Sequence, residues 1–142
     1  MINGTEQFGP PTGRVTGADH FLTDGTRAVL RVTRCRQCGS SWFPARAQCC
    51  TCASRDVAEE LTTTEGTAYA STVVQIGPRQ FRPPYVLSYV DVDGVRLLAH
   101  TTTTSALAPG TPVALRLAEI GADQDGPMYS YAVSPTTEEV NP

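Results

Sequence analysis

Lysine is absent from this 142-residue chain, and all eleven basic residues are arginine. Fourteen acidic residues leave a formal net charge of −3 and an isoelectric point near 5.3. A broad cationic surface for a nucleic acid is therefore not expected. No stretch approaches the roughly 20 apolar residues of a membrane helix, and no apolar run opens the sequence. The reading is a cytoplasmic protein with no membrane partner. Histidine is scarce, with only His20 and His100. Neither belongs to a recognisable catalytic motif, and no nucleophile elbow, phosphate loop or metalloprotease helix is present. Both histidines are read as surface or core residues, and the chain is expected to do no catalysis alone.

Cysteine is missing before residue 35 and after residue 52, yet five occur between them. In a reducing compartment such clustering favours a metal or redox site over disulfides. Cys35 and Cys38 form one C-x2-C, and Cys49 and Cys52 form a second, ten residues on. Each pair can present two thiolates to one cation, and together they complete a tetrahedral four-sulfur site. With no coordination position left for water, such a site is structural, and zinc is the expected ion. Sulfur spacing alone does not separate zinc from iron, so a rubredoxin-like electron carrier is a competing reading. Gly39 follows the first pair, where positive φ is needed. Ala53 follows the second and suits that geometry less well. Cys50 is surplus, and the spacing leaves open whether Cys49 or Cys50 is the third ligand.

The rest of the chain reads as mainly β. Residues 1–16, rich in Gly, Pro and Thr, are read as a flexible arm. "GADHFLTDG" is expected to make one or two helical turns ended by Gly25. "TRAVLRVTRC" alternates like a strand leading into the cysteines. "RDVAEELTTTEG" reads as a short strand or connector. Five further strands follow, including a hairpin about Asp93-Gly94. Five strands without a long helix fit an OB-type Greek-key barrel. The expected division is an arm over 1–16, a helix and zinc ribbon over 17–60, a barrel over 61–134 and a polar tail over 135–142. A ribbon joined to such a barrel also admits single-stranded nucleic-acid binding, which the negative charge disfavours.

"LRVTRCRQCGSSWFPARAQCCTCAS", "EGTAYASTVV", "RPPYVLSYVDVDGVRLLAH" and "LAPGTPVALRL" together resemble a family of acyl-CoA-associated proteins. Its members join a rubredoxin-like zinc ribbon to an OB fold and were formerly catalogued as a domain of unknown function. The likeness spans residues 17–134. Cys50, where proline is usual, and Ala53, where glycine is usual, depart from the pattern. The resemblance implies a small non-catalytic partner of a thiolase-fold enzyme (a thiolase, acyltransferase, ketosynthase-like synthase or thiolase-like aldolase) that helps bind the coenzyme A thioester. In that light Arg79 and Arg82 are candidates for the phosphates and Phe81 for the adenine. Trp42 and Phe43, between the cysteine pairs, either pack the ribbon onto the barrel or contact the partner enzyme.

Overall fold

A computed structural model describes residues 7–136. A single 3-10 turn, Ala18–His20, leads into nine strands: β1 (Phe21–Thr23), β2 (Ala28–Cys35), β3 (Ser41–Trp42), β4 (Val57–Leu61), β5 (Glu65–Val74), β6 (Tyr85–Val92), β7 (Val95–Thr101), β8 (Pro112–Asp123) and β9 (Gly126–Pro135). Among the described residues, no helix is long and apolar enough to cross a membrane.

The first four strands form one sheet centred on β2. It pairs with β1 along Ala28–Leu30, with β3 at Thr33 and Arg34, and with β4 along Arg31–Cys35. The last five close into a barrel of order β5-β6-β7-β9-β8, with β8 returning to β5. Every barrel pairing is antiparallel except β7 with β9, which run parallel through His100↔Ala132 and Thr101↔Val133. Asp93 and Gly94 both take positive φ (48° and 87°), so the two-residue turn between β6 and β7 has the twist a tight hairpin requires. Alternation then does the sorting. Val86, Ser88, Val90 and Val92 of β6 and Val95, Leu97 and Ala99 of β7 point inward.

The expected helix over "GADHFLTDG" is corrected to a single 3-10 turn followed by an extended hairpin strand. Phe21, Leu22 and Thr23 are all buried against β2 or the barrel, which a surface helix would not allow. Gly25, with φ +96°, lies in the β1–β2 turn rather than ending a helix. Asp24 shapes that turn by accepting the Thr26 and Arg27 amides. The flexible arm is corrected as well. Phe8 is buried against Leu22 and Val29, Gly9 bridges Thr23, and Val15 bridges Tyr129. The first six residues of the arm, and residues 137–142 of the expected polar tail, lie outside the described residues. At the start of that tail, Pro135 ends β9 and the Thr136 amide donates to the Pro112 carbonyl.

One core serves both sheets. Phe21, Ala28, Leu30 and Val32 from the first sheet pack with Val90, Val92, Leu115 and Val133 of the barrel. Thr62, buried where the chain crosses between them, accepts the Leu30 amide on its hydroxyl and donates its own amide to the Leu30 carbonyl. Because Phe21 is completely buried in that shared core, Phe21→Ala should cost about 3–5 kcal/mol. Trp42 is the sole tryptophan and reports on the first sheet. In urea its fluorescence and the far-ultraviolet circular dichroism, dominated by the barrel, should shift together. Separate transitions would show that the two sheets do not fold as one unit.

Candidate metal centre and adjoining cleft

Four sulfurs converge at the end of β2. The Sγ atoms of Cys35, Cys38, Cys49 and Cys52 lie within 4.8 Å of one another, and Cys50 is outside the group. The Cys35–Cys52 and Cys38–Cys49 sulfurs are each 3.6 Å apart. That is far longer than a disulfide at about 2.05 Å. It is close to the tetrahedron edge of about 3.8 Å expected when thiolates sit about 2.3 Å from a shared ion.

The two cysteine pairs fold alike. Cys35 Sγ accepts the amides of Gln37 and Cys38, and Cys49 Sγ accepts those of Thr51 and Cys52. The Gly39 amide closes the first turn on the Cys35 carbonyl, and the Ala53 amide closes the second on that of Cys49. Both closing residues have positive φ, 80° and 67°. Amides aimed at sulfur favour thiolate, the form that binds metal. Burial works against the Cys49 thiolate, but the Cys52 and Thr51 amides and the Cys38 thiol outweigh it and bring Cys49 down to about 6. The Ser54 amide favours the Cys52 thiolate, yet burial and the neighbouring sulfurs push Cys52 up to about 12. Four thiolates this close repel one another, and a bound cation relieves that repulsion. The donors present fit a metal ion.

Trp42 is not available to a partner. It is 8% exposed and packs with Cys35 and Cys49 beneath the cluster, with Val57 alongside. A ribbon this small has few apolar side chains to place under its cluster, and the indole fills that role. Phe43 is half-buried and stands edge-on to His20 at 5.9 Å and Tyr131 at 5.6 Å, joining the cysteine loop to the barrel.

The other predicted residues lie at a separate place, in the loop between β5 and β6. Six arginines are paired with carboxylates: Arg14 with Asp123, Arg27 with Asp24, Arg31 with Glu59, Arg34 with Glu60, Arg36 with Asp56 and Arg96 with Asp91. Arg79 and Arg82 are exposed and, among the described residues, have no such partner. Both line a groove of about 530 Å³ against Glu119–Ala122 of β8, and Glu119 contributes an opposing charge. The loop is fixed there. The Ala122 amide donates to the Gln80 carbonyl at 2.9 Å. Gly121 lets the loop come so close that a Cβ would sit 2.8 Å from the Phe81 ring.

Phe81 does not stand bare. Its ring lies 4.8 Å from His100 and 5.6 Å from Tyr85. Both Phe81 and His100 border a cavity of about 200 Å³, which is also lined by His20, Leu98, Ile120 and Tyr131, among others. Sequence reasoning missed this cavity, because its walls come from segments up to about a hundred residues apart. Gly121 inside a strand pattern was the one available signal, since strand glycines mark close backbone approach.

No protein-family profile matches the chain. Over 75 residues it is 32% identical to a DUF35 domain-containing scaffold protein of Methanocaldococcus jannaschii. That stretch is 50% of this chain and 53% of the relative, so the chain spans about half the length of that curated protein. In structure it is similar to the Ltp2-ChsH2(DUF35) aldolase, with a TM-score of 0.57 and 25% identity over 75% of this chain and 84% of that one. The resemblance to DUF35 proteins therefore holds in sequence and in structure.

Two outcomes are expected. Ala53 holds a left-handed conformation that costs a non-glycine residue about 1–2 kcal/mol. Ala53→Gly should raise stability by about 0.5–1 kcal/mol after the entropy cost of glycine, seen as a higher urea midpoint. Burial lowers the His100 pKa from its ordinary 6.5. The unfolded chain then binds that proton more readily, so stability is full above about pH 6.5 and is lost as pH falls through the folded value. His100→Gln should flatten this acid-side loss in urea melts, and an unchanged slope would assign it to other groups.

Proposed function

We propose that this chain is a non-catalytic zinc-ribbon and OB-barrel subunit that associates with a thiolase-fold enzyme and helps hold its coenzyme A thioester. The barrel order, with first and fourth strands adjacent and third and fifth parallel, supports the OB assignment. A ribbon over 17–60 and a barrel over 61–134 are then two modules built on one shared core. The relatives favour an accessory role: one is named a scaffold protein, the other an aldolase with a DUF35 component.

The observation that carries the ligand reading is the pinned loop over the groove. The pyrophosphate and 3′-phosphate of coenzyme A are anionic, and an acidic chain can hold them only at a local concentration of positive charge. Arg79 and Arg82 supply it, on a loop whose position is set by backbone contact with Gly121 and Ala122. Phe81 offers an edge to the adenine rather than a bare face, since His100 and Tyr85 already pack on it. The four thiolates would hold zinc and supply shape rather than chemistry.

Two experiments test this. Metal analysis of the chain should give about one zinc per protein, and no iron charge-transfer band. Ser at Cys35, Cys38, Cys49 or Cys52 should lose it, while Cys50→Ser should keep it. Retention by Cys49→Ser together with loss by Cys50→Ser would reverse the ligand assignment. Separately, the complex copurified with its enzyme should bind a coenzyme A thioester by calorimetry. Arg79→Ala and Arg82→Ala should each weaken that binding by about 1–3 kcal/mol, with zinc content unchanged. Glu119→Gln should tighten it, by roughly 0.2–1 kcal/mol. Unchanged affinity in all three would move the phosphate site onto the enzyme.

A further inference from the structure

The cavity beside Phe81 gathers polar groups that the fold does not use. His20, His100 and Tyr131 all line it. Among the described residues, neither imidazole and not the Tyr131 hydroxyl makes a hydrogen bond; their neighbours are the Phe43 and Phe81 rings. Fully buried side-chain polar atoms without a partner occur, among those residues, only at Arg31, Ser41 and Trp42. The two imidazoles and the phenol therefore still reach open space. Ser130, also on the cavity wall, is already engaged, its hydroxyl donating to the Thr16 carbonyl.

The other walls are apolar, supplied by Phe81, Leu98 and Ile120. A whole drug-sized ligand fills about 300–1,000 Å³, so this smaller space suits one ring system of a larger molecule. An alkyl chain would fill it but leave three polar groups unpaired, which is costly. A planar heteroaromatic base instead lays its faces on the apolar walls and carries donors and acceptors around its edge. Burial lowers the His100 pKa and keeps that ring neutral at neutral pH, with one donor and one acceptor. The Tyr131 hydroxyl likewise donates and accepts. The cavity also adjoins the arginine groove. Ile120 borders both, and Phe81 lies between Gln80 and Arg82, which line the groove.

We propose that this cavity takes the adenine of a 3′-phosphorylated adenosine nucleotide, its edge read by His20, His100 and Tyr131 and its phosphates on Arg79 and Arg82. The inference rests on the coenzyme A reading and gives it a direction. Both phosphate groups of that nucleotide hang on the ribose next to the base, which suits a base cavity and a cationic groove that share a wall. With the nucleotide end held here, the pantetheine arm and its thioester are left to the associated enzyme. The cavity is built in advance. Thr16 and Gly17 form another of its walls, and the arm that carries them is tied to β9 and the β8–β9 turn. The Thr16 amide donates to the Tyr129 carbonyl at 2.8 Å, and Arg14 pairs with Asp123. A wall already in place saves the ordering cost of binding.

Calorimetry on the complex copurified with its enzyme tests this, with adenosine 3′,5′-bisphosphate and 4′-phosphopantetheine as separate probes. Tyr131→Phe and His100→Phe keep a ring in place and remove only the polar atoms. Each should weaken bisphosphate binding by about threefold to tenfold, the worth of one neutral hydrogen bond, and leave phosphopantetheine binding unchanged. A second readout needs no variant. The chain has two histidines, both on this cavity. With nitrogen-labelled histidine in this chain alone, both imidazole signals should move with the bisphosphate and stay still with phosphopantetheine. If variants and imidazoles respond to phosphopantetheine instead, the cavity takes the acyl-bearing arm; the proposal is overturned while the coenzyme A reading stands. Bisphosphate binding that depends on Arg79 and Arg82 but ignores both variants and leaves the imidazoles still overturns it in the same way. No binding of either probe would remove the coenzyme A reading along with it.

Discussion

Strand β2 works in two environments, and the rest of the molecule is arranged around that constraint. Its first half places Ala28, Leu30 and Val32 in the core shared with the barrel, and its last residue, Cys35, is the most buried of the four clustered cysteines. One eight-residue strand therefore connects an apolar core to a polar, metal-ready loop. Apolar burial holds one end, at about 25 cal/mol per Å². The other end has only Trp42 and Val57 around Cys35 and Cys49, too little surface to hold a loop of about twenty residues by itself. Sulfur–metal bonds at the four clustered cysteines would supply what burial there cannot.

Phe43 carries that constraint across the molecule. It follows Trp42, which packs under the sulfurs, and its own ring meets His20 and Tyr131. Those two residues also wall the 200 Å³ cavity. Phe43 thus stands between the floor of the cysteine cluster, set by its neighbour Trp42, and two residues of the cavity wall, so disorder at one is felt at the other. The arginine loop is fixed separately, by Gln80 on Ala122 and by the absence of a side chain at Gly121. Its two guanidiniums, unlike those of six other arginines, have no carboxylate partner among the described residues. Exposed ion pairs contribute little stability. Arg46, Arg55 and Arg116 are likewise exposed and without a carboxylate partner among the described residues, but only Arg79 and Arg82 share one groove.

What could be read from residues alone was whatever depends on short spacing. The cysteine pairs, the Asp93-Gly94 hairpin and the alternating barrel strands are all local patterns, since a knuckle, a tight turn and a pleat each repeat within a few residues. The helix expected over residues 17–25 failed because local propensity was weighed without the core. Phe21 is extended because a fully buried pairing with Leu30 was available to it. The flexible arm failed in the same way, since nothing in a Gly-, Pro- and Thr-rich stretch announces that Phe8 will find Leu22 and Val29. Trp42 was open between surface and interior, and a small module with few apolar side chains buried it.

The sequence by itself therefore determined the ligand set's spacing, the β character and the positions of the turns, because each follows from chain geometry within a few residues. Tertiary structure alone decided which polar and aromatic groups share a space. It set His20 beside Phe43 and His100 beside Phe81, paired six arginines and left Arg79 and Arg82 without carboxylates, and stopped β8 short of the far half of β5. The physical reason is separation along the chain. Apart from the local Arg27–Asp24 and Arg96–Asp91 pairs, these contacts join residues about 20 to 110 positions apart, so they are fixed by how the two sheets assemble, which depends on the whole set of strand registers at once.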